Sequence, residues 1–151
     1  MESPVFHSTF NDLSAQKLYA LLQLRIEVFV VEQNCPYQDL DGKDPFCMHM
    51  WFESPEGRIE AYCRILPPDL SYKGYASIGR VITSLEVRGK GAGKKLMVAA
   101  ISLTRQLYPD MPIKISAQCY ALPFYEALGF VAIGEEYLED DIPHKAMILY
   151  A

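Results

Sequence analysis

The feature that most constrains the fold of this chain is a glycine-rich turn, Arg88 to Gly93, between a strand-like run and an amphipathic helix. The run before it, Ser77 to Thr83, is rich in apolar and β-branched residues, as strands are. The segment after it repeats apolar residues with the helical period, at Leu96, Ala100, Leu103 and Leu107. A strand must therefore lead through a tight turn into the N-terminus of a long helix.

A helix that begins at such a turn is suited to bind an anion. Its first N–H groups lack intrahelical partners and form the positive end of the helix dipole. Glycine admits positive φ and lets a ligand approach the backbone closely. Four basic side chains lie in or beside the turn: Arg88, Lys90, Lys94 and Lys95. We predict a diphosphate site here, and the alternative is a merely flexible turn, because a glycine-rich loop alone is a weak motif.

The spacing of the glycines disfavours two other nucleotide-binding motifs. The turn lacks the Gly-Lys-Ser/Thr ending of a P-loop, which argues against a nucleoside triphosphate with magnesium. Gly89, Gly91 and Gly93 fall at alternate positions, unlike the glycines of a dinucleotide-binding turn, and the acidic ribose ligand of that motif does not follow them.

Composition limits the class of protein. With 151 residues, 50% of them hydrophobic, the chain suits one domain with a full core over residues 1–151. Its apolar runs fall short of the roughly 18 residues of a membrane span, and its N-terminus shows no signal-peptide pattern, so we expect no membrane partner. The net charge of −5 argues against nucleic acid, because binding its phosphates needs a basic surface.

Two acidic groups stand apart from the basic turn. One comprises Asp39, Asp41 and Asp44, and the other runs from Glu135 to Asp141. Each is expected either to attract a cationic substrate such as an amine or to form a solvated loop, and the sequence favours neither interpretation.

The four cysteines are Cys35, Cys47, Cys63 and Cys119, and their spacing matches neither a zinc framework nor a redox pair. Cys47 and His49 share one face of a predicted strand, but two ligands do not make a metal site. We therefore predict reduced thiols, no metal and a cytoplasmic location.

Periodicity and turn residues predict an α+β fold. The expected helices run from a Ser14 cap to about Val31, from about Ala92 to Tyr108, and from Leu122 to Leu128. The expected strands are Val5–Phe10, Met48–Glu53, Arg58–Leu66, Tyr75–Thr83, Ile113–Gln118, Phe130–Leu138 and Lys145–Tyr150. A polar loop is expected over Gln33–Pro45.

Two motifs, in this order, resemble the GNAT superfamily of acyl-CoA-dependent N-acetyltransferases. They are the Arg-x-x-Gly-x-Gly turn at Arg88–Gly93 and the Ala-x-x-Phe-Tyr-Glu-x-x-Gly-Phe segment at Ala121–Phe130. Further segments are similar to the ElaA-like branch of that superfamily: Leu24–Gln33, Cys35–Tyr37, Asp41–Asp44, His49 and Tyr137–His144. The resemblance covers nearly the whole chain.

The resemblance implies a mixed, mostly antiparallel sheet that splays between its fourth and fifth strands and is flanked by helices. The pantetheine arm of acetyl-CoA would enter the splay and meet backbone groups of Val81, Ile82 and Thr83. The diphosphate would be held by the turn, at Arg88, Gly89, Lys90, Gly91, Ala92, Gly93 and Lys94. Gln118 stands where the family often has Asn; it keeps the amide on a side chain that is one methylene longer, and the resemblance implies that this amide contacts the cofactor.

The resemblance also implies direct attack of an amine on the acetyl carbonyl. Tyr125 would act as general acid toward the departing thiolate; the alternative is a core tyrosine packed beside Phe124 and Leu128. A backbone N–H near Ile82 would stabilise the developing negative charge. Cys119 is a disfavoured nucleophile, because no histidine is paired with it in the sequence pattern.

The general base stays open among several side chains or a water relay. The candidates are Glu27, Glu32, His49, Asp141 and His144. Glu27 suits a salt bridge with Arg25 or Arg80 better than catalysis, and Arg80 either orients substrate or pairs with a carboxylate. His49 is equally suited to the core.

Three functions are therefore weighed. The first is an enzyme that acetylates a small amine or a peptide amino group, with acetyl-CoA and an amine acceptor, cationic or not, as its ligands. The second is a non-catalytic acyl-CoA sensor. The third, a relative of acyl-homoserine-lactone synthases, is suggested by Glu27–Gln33, but the chain is short for that family. A homodimer is compatible with each.

Overall fold

Two antiparallel sheets form the centre of the fold, which a computed structural model describes for residues 4–151. The first sheet has the order β1-β2-β3-β4, with β1 at Val5–Thr9, β2 at Met48–Glu53, β3 at Ile59–Leu66 and β4 at Ser77–Thr83. The second has the order β5-β7-β6, with β5 at Ile113–Gln118, β6 at Val131–Glu139 and β7 at Ile142–Leu149.

The two sheets join where β4 and β5 begin. Ala76 and Ile113 form a parallel bridge, in which the N–H of Ala76 donates to Pro112 O (3.1 Å) and the N–H of Lys114 donates to Ala76 O (2.9 Å). Beyond this corner, no ladder links β4 to β5 in the described part of the chain. The expected mixed sheet, splayed between its fourth and fifth strands, is confirmed.

Helix α1 (Ala15–Ile26) packs on one face of the first sheet. The Ser14 side chain accepts the N–H of Lys17, so the predicted N-cap is confirmed. Leu21 and Leu24 of α1 pack with Tyr62 in one buried cluster. The helix continues as a π-helical turn over Glu27–Glu32, so its predicted extent is correct although its last turn is wider than an α-helical one.

Helix α2 (Ala92–Leu107) covers the other face of the first sheet, and a short helix α3 (Leu122–Glu126) follows β5. Leu96 and Ala100 are fully buried against the sheet, as the helical period predicts. Leu107 is instead exposed, and Thr104 is buried with its hydroxyl bonded to Ala100 O. Of the described helices, none is long and apolar enough to cross a membrane.

The turn of the last hairpin is shorter than the sequence predicts, since the expected connection spans Glu139 to His144. Asp140 and Asp141 form the turn, with φ of 51° and 63°, and β7 begins at Ile142 instead of Lys145. Aspartate tolerates this left-handed conformation. His144 therefore lies within a strand, paired across the sheet with Gln118 of β5 and Tyr137 of β6.

Candidate functional site

The divergence of β4 and β5 opens a cavity of 770 Å³. Residues 78–83 of β4 form one wall and residues 115–118 of β5 form the other. The π-helical turn, the glycine turn, α3 and the β6–β7 turn complete the lining. Segments distant in the sequence therefore meet around one space.

The glycine turn has the backbone conformation that its sequence predicts. Gly89 and Gly91 have φ of 83° and 82°, which L side chains rarely adopt. No described atom lies within 4 Å of a Cβ built at either position, so the space beside them is open. Gly91 is the N-cap of α2, and Gly93 has ordinary φ, with Phe124 and Thr83 at 3.7 Å from its Cβ position. The first-turn N–H groups of α2 thus border the cavity without intrahelical partners.

The basic side chains of the turn divide into two groups. Arg88 and Lys94 line the cavity, and the Arg88 guanidinium donates to Glu32 Oε1 at 2.7 Å and to Thr83 O at 2.8 Å. Lys90 is not among the lining residues, and its N–H donates to Val87 O. The Lys95 ammonium lies over the ring of Phe52 at 5.0 Å. Of the four basic residues expected at the anion site, Arg88 and Lys94 therefore line the cavity, and Lys90 and Lys95 do not.

A β-bulge interrupts β4 where it forms the cavity wall. Gly79 pairs with Arg64 and Ile82 pairs with Tyr62, so Arg80 and Val81 both lie opposite Cys63. Arg80 has φ of 51°, a left-handed conformation that is unusual for arginine. A bulge leaves its extra residue out of the ladder, and here that residue lies on the cavity side of the sheet edge.

Tyr125 lines the cavity and also packs against aromatic rings. Its ring meets Phe124 edge-on at 5.0 Å and Phe130 at 5.9 Å. Burial raises the pKa of its hydroxyl, and Tyr120 and Cys63 contribute in the same direction. The phenol therefore stays protonated at neutral pH, which a proton donor requires.

His144 is the one predicted histidine that lines the cavity. It is buried, with Nδ1 at 2.6 Å from Ile142 O and Nε2 at 3.4 Å from Glu139 Oε2. Because a carbonyl oxygen can only accept, Nδ1 carries the hydrogen in this arrangement. In the neutral ring Nε2 is then free to accept a proton. The sequence pattern had singled out neither Glu139 nor Asp140 individually, yet both line the cavity.

Three other proposed bases lie outside the cavity lining. His49 is buried, with Nδ1 at 2.7 Å from Tyr62 Oη and Nε2 at 2.9 Å from Asp44 O. Burial lowers the pKa of this histidine, so it is a neutral core residue. Glu27 is exposed, and Asp141 belongs to the hairpin turn. Of the five candidate bases, Glu32 and His144 therefore line the cavity, and His49, Glu27 and Asp141 do not.

Cys119 lies outside the cavity lining too, with Sγ at 3.2 Å from Glu136 Oε1. That carboxylate partner does not activate a thiol as a nucleophile. Across residues 4–151, no group of three or more His, Cys, Asp and Glu side chains is arranged to hold a metal ion.

A buried charge cluster, which the sequence did not predict, holds the loop of residues 33–45 against the first sheet. Arg25 donates to Asp39 Oδ2 at 3.0 Å and to Asp44 Oδ1 at 2.7 Å. The cluster comprises three arginines and three aspartates: Arg25, Arg64, Arg80, Asp39, Asp41 and Asp44. Both interpretations of this acidic group are corrected, because Asp39 and Asp44 are buried and all three carboxylates, the partly exposed Asp41 included, are paired with arginines.

The expected salt bridges of Glu27 are corrected by the same contacts, since Arg25 and Arg80 pair with aspartates. The sequence did contain one signal for this cluster, namely three arginines within apolar helical or strand segments, because a charge at such a position needs a buried partner.

Gln118, which was expected to contact the cofactor, lies on the β5 wall of the cavity. Its Nε2 donates weakly to Gln33 Oε1 at 3.4 Å.

Known proteins are similar to this chain in sequence and in fold. The family profile of the acetyltransferase (GNAT) domain matches residues 12–151. Protein ElaA of Escherichia coli K12 is 43% identical over 140 residues, 91% of this chain and 90% of that protein. The crystal structure of Escherichia coli ElaA matches with a TM-score of 0.90 and 40% identity, covering 97% of this chain and 99% of that one.

An acyl-CoA N-acyltransferase from Pseudomonas aeruginosa matches with a TM-score of 0.91 and 44% identity, covering 97% of this chain and 99% of that one. A CoA-dependent acyl-homoserine lactone synthase reaches a TM-score of 0.77 at 15% identity, over 98% and 84% of the two chains, and this likeness shows the fold alone. The profile match and the two close relatives show that the chain belongs to the GNAT family of acyl-CoA N-acyltransferases, in its ElaA-like branch.

Proposed function

We propose that this protein is an N-acetyltransferase that moves the acetyl group of acetyl-CoA to a primary amine by direct attack. The supporting observation is that one cavity is lined by the glycine turn, by the bulged edge of β4, by Tyr125 and by His144. An anion site, a proton donor and a proton acceptor are therefore available to one bound thioester. A sensor of acyl-CoA would need the anion site alone.

The described residues fit acetyl-CoA. The open, left-handed positions of Gly89 and Gly91 admit a diphosphate to the N–H groups of residue 89 and of residues 91–94, and Arg88 and Lys94 add positive charge. The edge of β4 at Val81, Ile82 and Thr83 can pair with the two amides of the pantetheine arm, since it has no strand partner there among the described residues. Gln118 faces that edge from β5. Of the residues predicted to bind the cofactor, Lys90 alone is left out of this assignment.

The thioester supplies an activated acetyl group, and the protein transfers two protons: one is removed from the attacking amine and one is given to the departing thiolate. The N–C bond forms as the C–S bond breaks. His144 accepts the proton of the amine at Nε2, because Nδ1 holds its hydrogen against Ile142 O. Tyr125 donates its hydroxyl proton to the departing thiolate.

The carbonyl oxygen gains negative charge during the attack. A backbone N–H near Ile82, next to the bulge in β4, stabilises that charge. A fixed backbone donor is effective here because it needs no reorientation during the reaction.

The acceptor end of the cavity favours a cationic amine. Glu139 and Asp140 line it, and their negative charges attract a protonated amine, which must lose a proton before it attacks. Loops of this kind differ among proteins of one fold, so the acceptor is proposed as a class: a small amine or a peptide amino group. We further propose that residues 1–151 act as one domain, in the cytoplasm, where the four free cysteines stay reduced.

Calorimetric titration with acetyl-CoA, with ATP and NAD as control ligands, is the first test. A panel of amines then follows, with released CoA measured by chromatography because the four free thiols of the protein would react with thiol reagents. Selective binding with CoA release supports the transferase. Selective binding without release across the panel supports the sensor, and no binding of acetyl-CoA overturns both.

A further inference from the structure

We propose that Arg80 is a positioning residue: its bonds to Asp39 hold the bulge of β4 in the conformation that acyl transfer uses. The inference rests on the proposed function, because it concerns the strand edge assigned to the thioester. It gives a role to a buried ion pair that the reaction itself does not require.

The backbone of Arg80 is strained where the cavity wall is formed. Its φ of 51° lies in the left-handed region, which costs free energy for any residue with a side chain of L configuration. Such conformations persist when the surrounding structure fixes them, and they occur at functional sites. The strained residue here is the extra residue of the bulge, next to Val81 and Ile82.

The Arg80 side chain is fixed by five groups on the loop and the π-helical turn. Its Nε donates to Asp39 Oδ1 at 2.8 Å and one terminal nitrogen donates to Asp39 O at 2.9 Å. A second ion pair reaches Asp41 at 3.5 Å. The guanidinium also lies over the rings of Phe29 and Tyr37, at 6.0 Å and 5.7 Å.

Asp39 is a rigid anchor, because it is itself held from the other side. Its side chain is fully buried, and Arg25 of α1 donates to both its carboxylate and its carbonyl oxygen, at 3.0 Å and 3.2 Å. Tyr37 Oη donates to the same carboxylate at 3.0 Å. The backbone angle of the bulge is thus tied, through two arginines and one aspartate, to helix α1.

Two substitutions at position 80 separate the backbone requirement from the side chain. Arg80→Gly removes the bonds to Asp39 but accepts positive φ without strain. Arg80→Ala removes the same bonds and disfavours positive φ, so the bulge should be populated less. We expect kcat of the alanine variant to be roughly tenfold below that of the glycine variant, and both to bind acetyl-CoA within about threefold of the unchanged protein.

A side chain that touched the substrate directly would give a different result, since the alanine and glycine variants would then lose activity equally. Equal kcat values of the two variants therefore overturn the proposal. The matched control is Arg64→Gln. Arg64 bonds to Asp41 and Asp44 of the same cluster but lies outside the cavity lining, so this variant should lose stability and keep kcat within about threefold.

Asp39→Asn provides a second, independent variant in case neither Arg80 variant folds. It keeps the volume of the anchor and weakens its hold on Arg80, so kcat should fall about tenfold with acetyl-CoA affinity retained. Unchanged kcat in Asp39→Asn overturns the proposal. The proposed function has a separate test: it is overturned if the protein without substitutions binds acetyl-CoA but releases no CoA with any amine. Failure of the Arg80 proposal is instead seen only in the variants, so the two failures are distinguishable.

Discussion

The glycine turn at residues 88–93 and the buried charge cluster beneath residues 33–45 border the same cavity and contribute to it differently. The turn is contiguous in sequence, largely exposed, and offers backbone N–H groups. The cluster draws side chains from α1, the loop, β3 and β4, and its central ion pair is fully buried. One region is built to receive a ligand and the other to fix the wall that the ligand meets.

This difference separates binding from stability. A change in the turn should weaken the binding of acyl-CoA and lower the free energy of unfolding by no more than the strain of a side chain at positive φ, about 1–2 kcal/mol, because few contacts depend on the turn. A change in the cluster should do the opposite, because a buried charge that loses its partner destabilises the fold. The comparison fails wherever a variant in one region produces the effect assigned to the other.

Gly91→Glu should give the largest effect. It places a carboxylate beside the bound diphosphate, and a like charge there costs several kcal/mol; we therefore expect roughly a thousandfold loss of acetyl-CoA affinity by calorimetry. Gly91→Gln has the same shape and backbone strain without the charge and should lose less. Gly57→Glu is the matched control, because Gly57 has the same positive φ of 83° in the distant β2–β3 turn. Equal affinities for Gly91→Glu and the control would remove the diphosphate from this turn.

Arg25→Met should test the cluster. The guanidinium is fully buried, so its removal leaves Asp39 and Asp44 with fewer partners and should lower the free energy of unfolding by about 3–5 kcal/mol. Acetyl-CoA affinity of the folded variant should stay near that of the unchanged protein. Arg58→Met is the control, because Arg58 pairs with Glu86 at 2.9 Å on the surface and such pairs contribute less than about 1 kcal/mol. Similar losses in the two variants, measured by urea unfolding, would contradict the structural role of the cluster.

The same contrast explains what sequence reasoning could predict. The order of elements and the left-handed glycines follow from local signals: period, turn residues and the alternation at Gly89 and Gly91. The splay between β4 and β5 was expected from the family resemblance alone. The charge cluster depends on contacts between Arg25, Arg80 and Asp39, which lie far apart in the chain, and no periodicity reports them. The position of His49 was unpredictable for that reason, since its burial depends on Tyr62 and on a loop carbonyl.

Tyr125→Phe tests the cavity between the two regions. It removes the proposed proton donor and keeps the ring that packs on Phe124 and Phe130. We expect kcat to fall about a hundredfold, the low end of the range for general acid catalysis, with acetyl-CoA affinity unchanged. Tyr150→Phe, at an exposed position near the C-terminus, is the control. An unaltered kcat in Tyr125→Phe would assign this tyrosine to packing alone.

The smallest effect should be a pH dependence that belongs to the cluster and its neighbour His49. Burial lowers the pKa of His49 in the folded protein. Below about pH 6.5 the unfolded chain therefore binds a proton that the folded chain does not, and the free energy of unfolding decreases as the pH decreases. The pKa of Asp44 is also lowered: burial alone would raise it, but the bonds and charges of Arg25 and Arg64 outweigh burial. Stability held by Asp44 is thus present above the ordinary aspartate pKa of about 3.9 and is lost as the pH falls below it.

Both pKa values are lowered by folding, but the two groups act in different pH ranges, and of the two only His49 acts above about pH 5. Between about pH 6.5 and 5, the free energy of unfolding should fall with decreasing pH in the unchanged protein, with a slope of at most about 1.4 kcal/mol per pH unit, and should stay level in His49→Gln. His7→Gln, at an exposed position on β1, is the control and should behave as the unchanged protein does. An identical decline in His49→Gln and the unchanged protein would show that His49 titrates normally. Acetyl-CoA affinity should stay constant across this window, because the backbone N–H groups of the glycine turn do not titrate, so pH alone should separate the two regions.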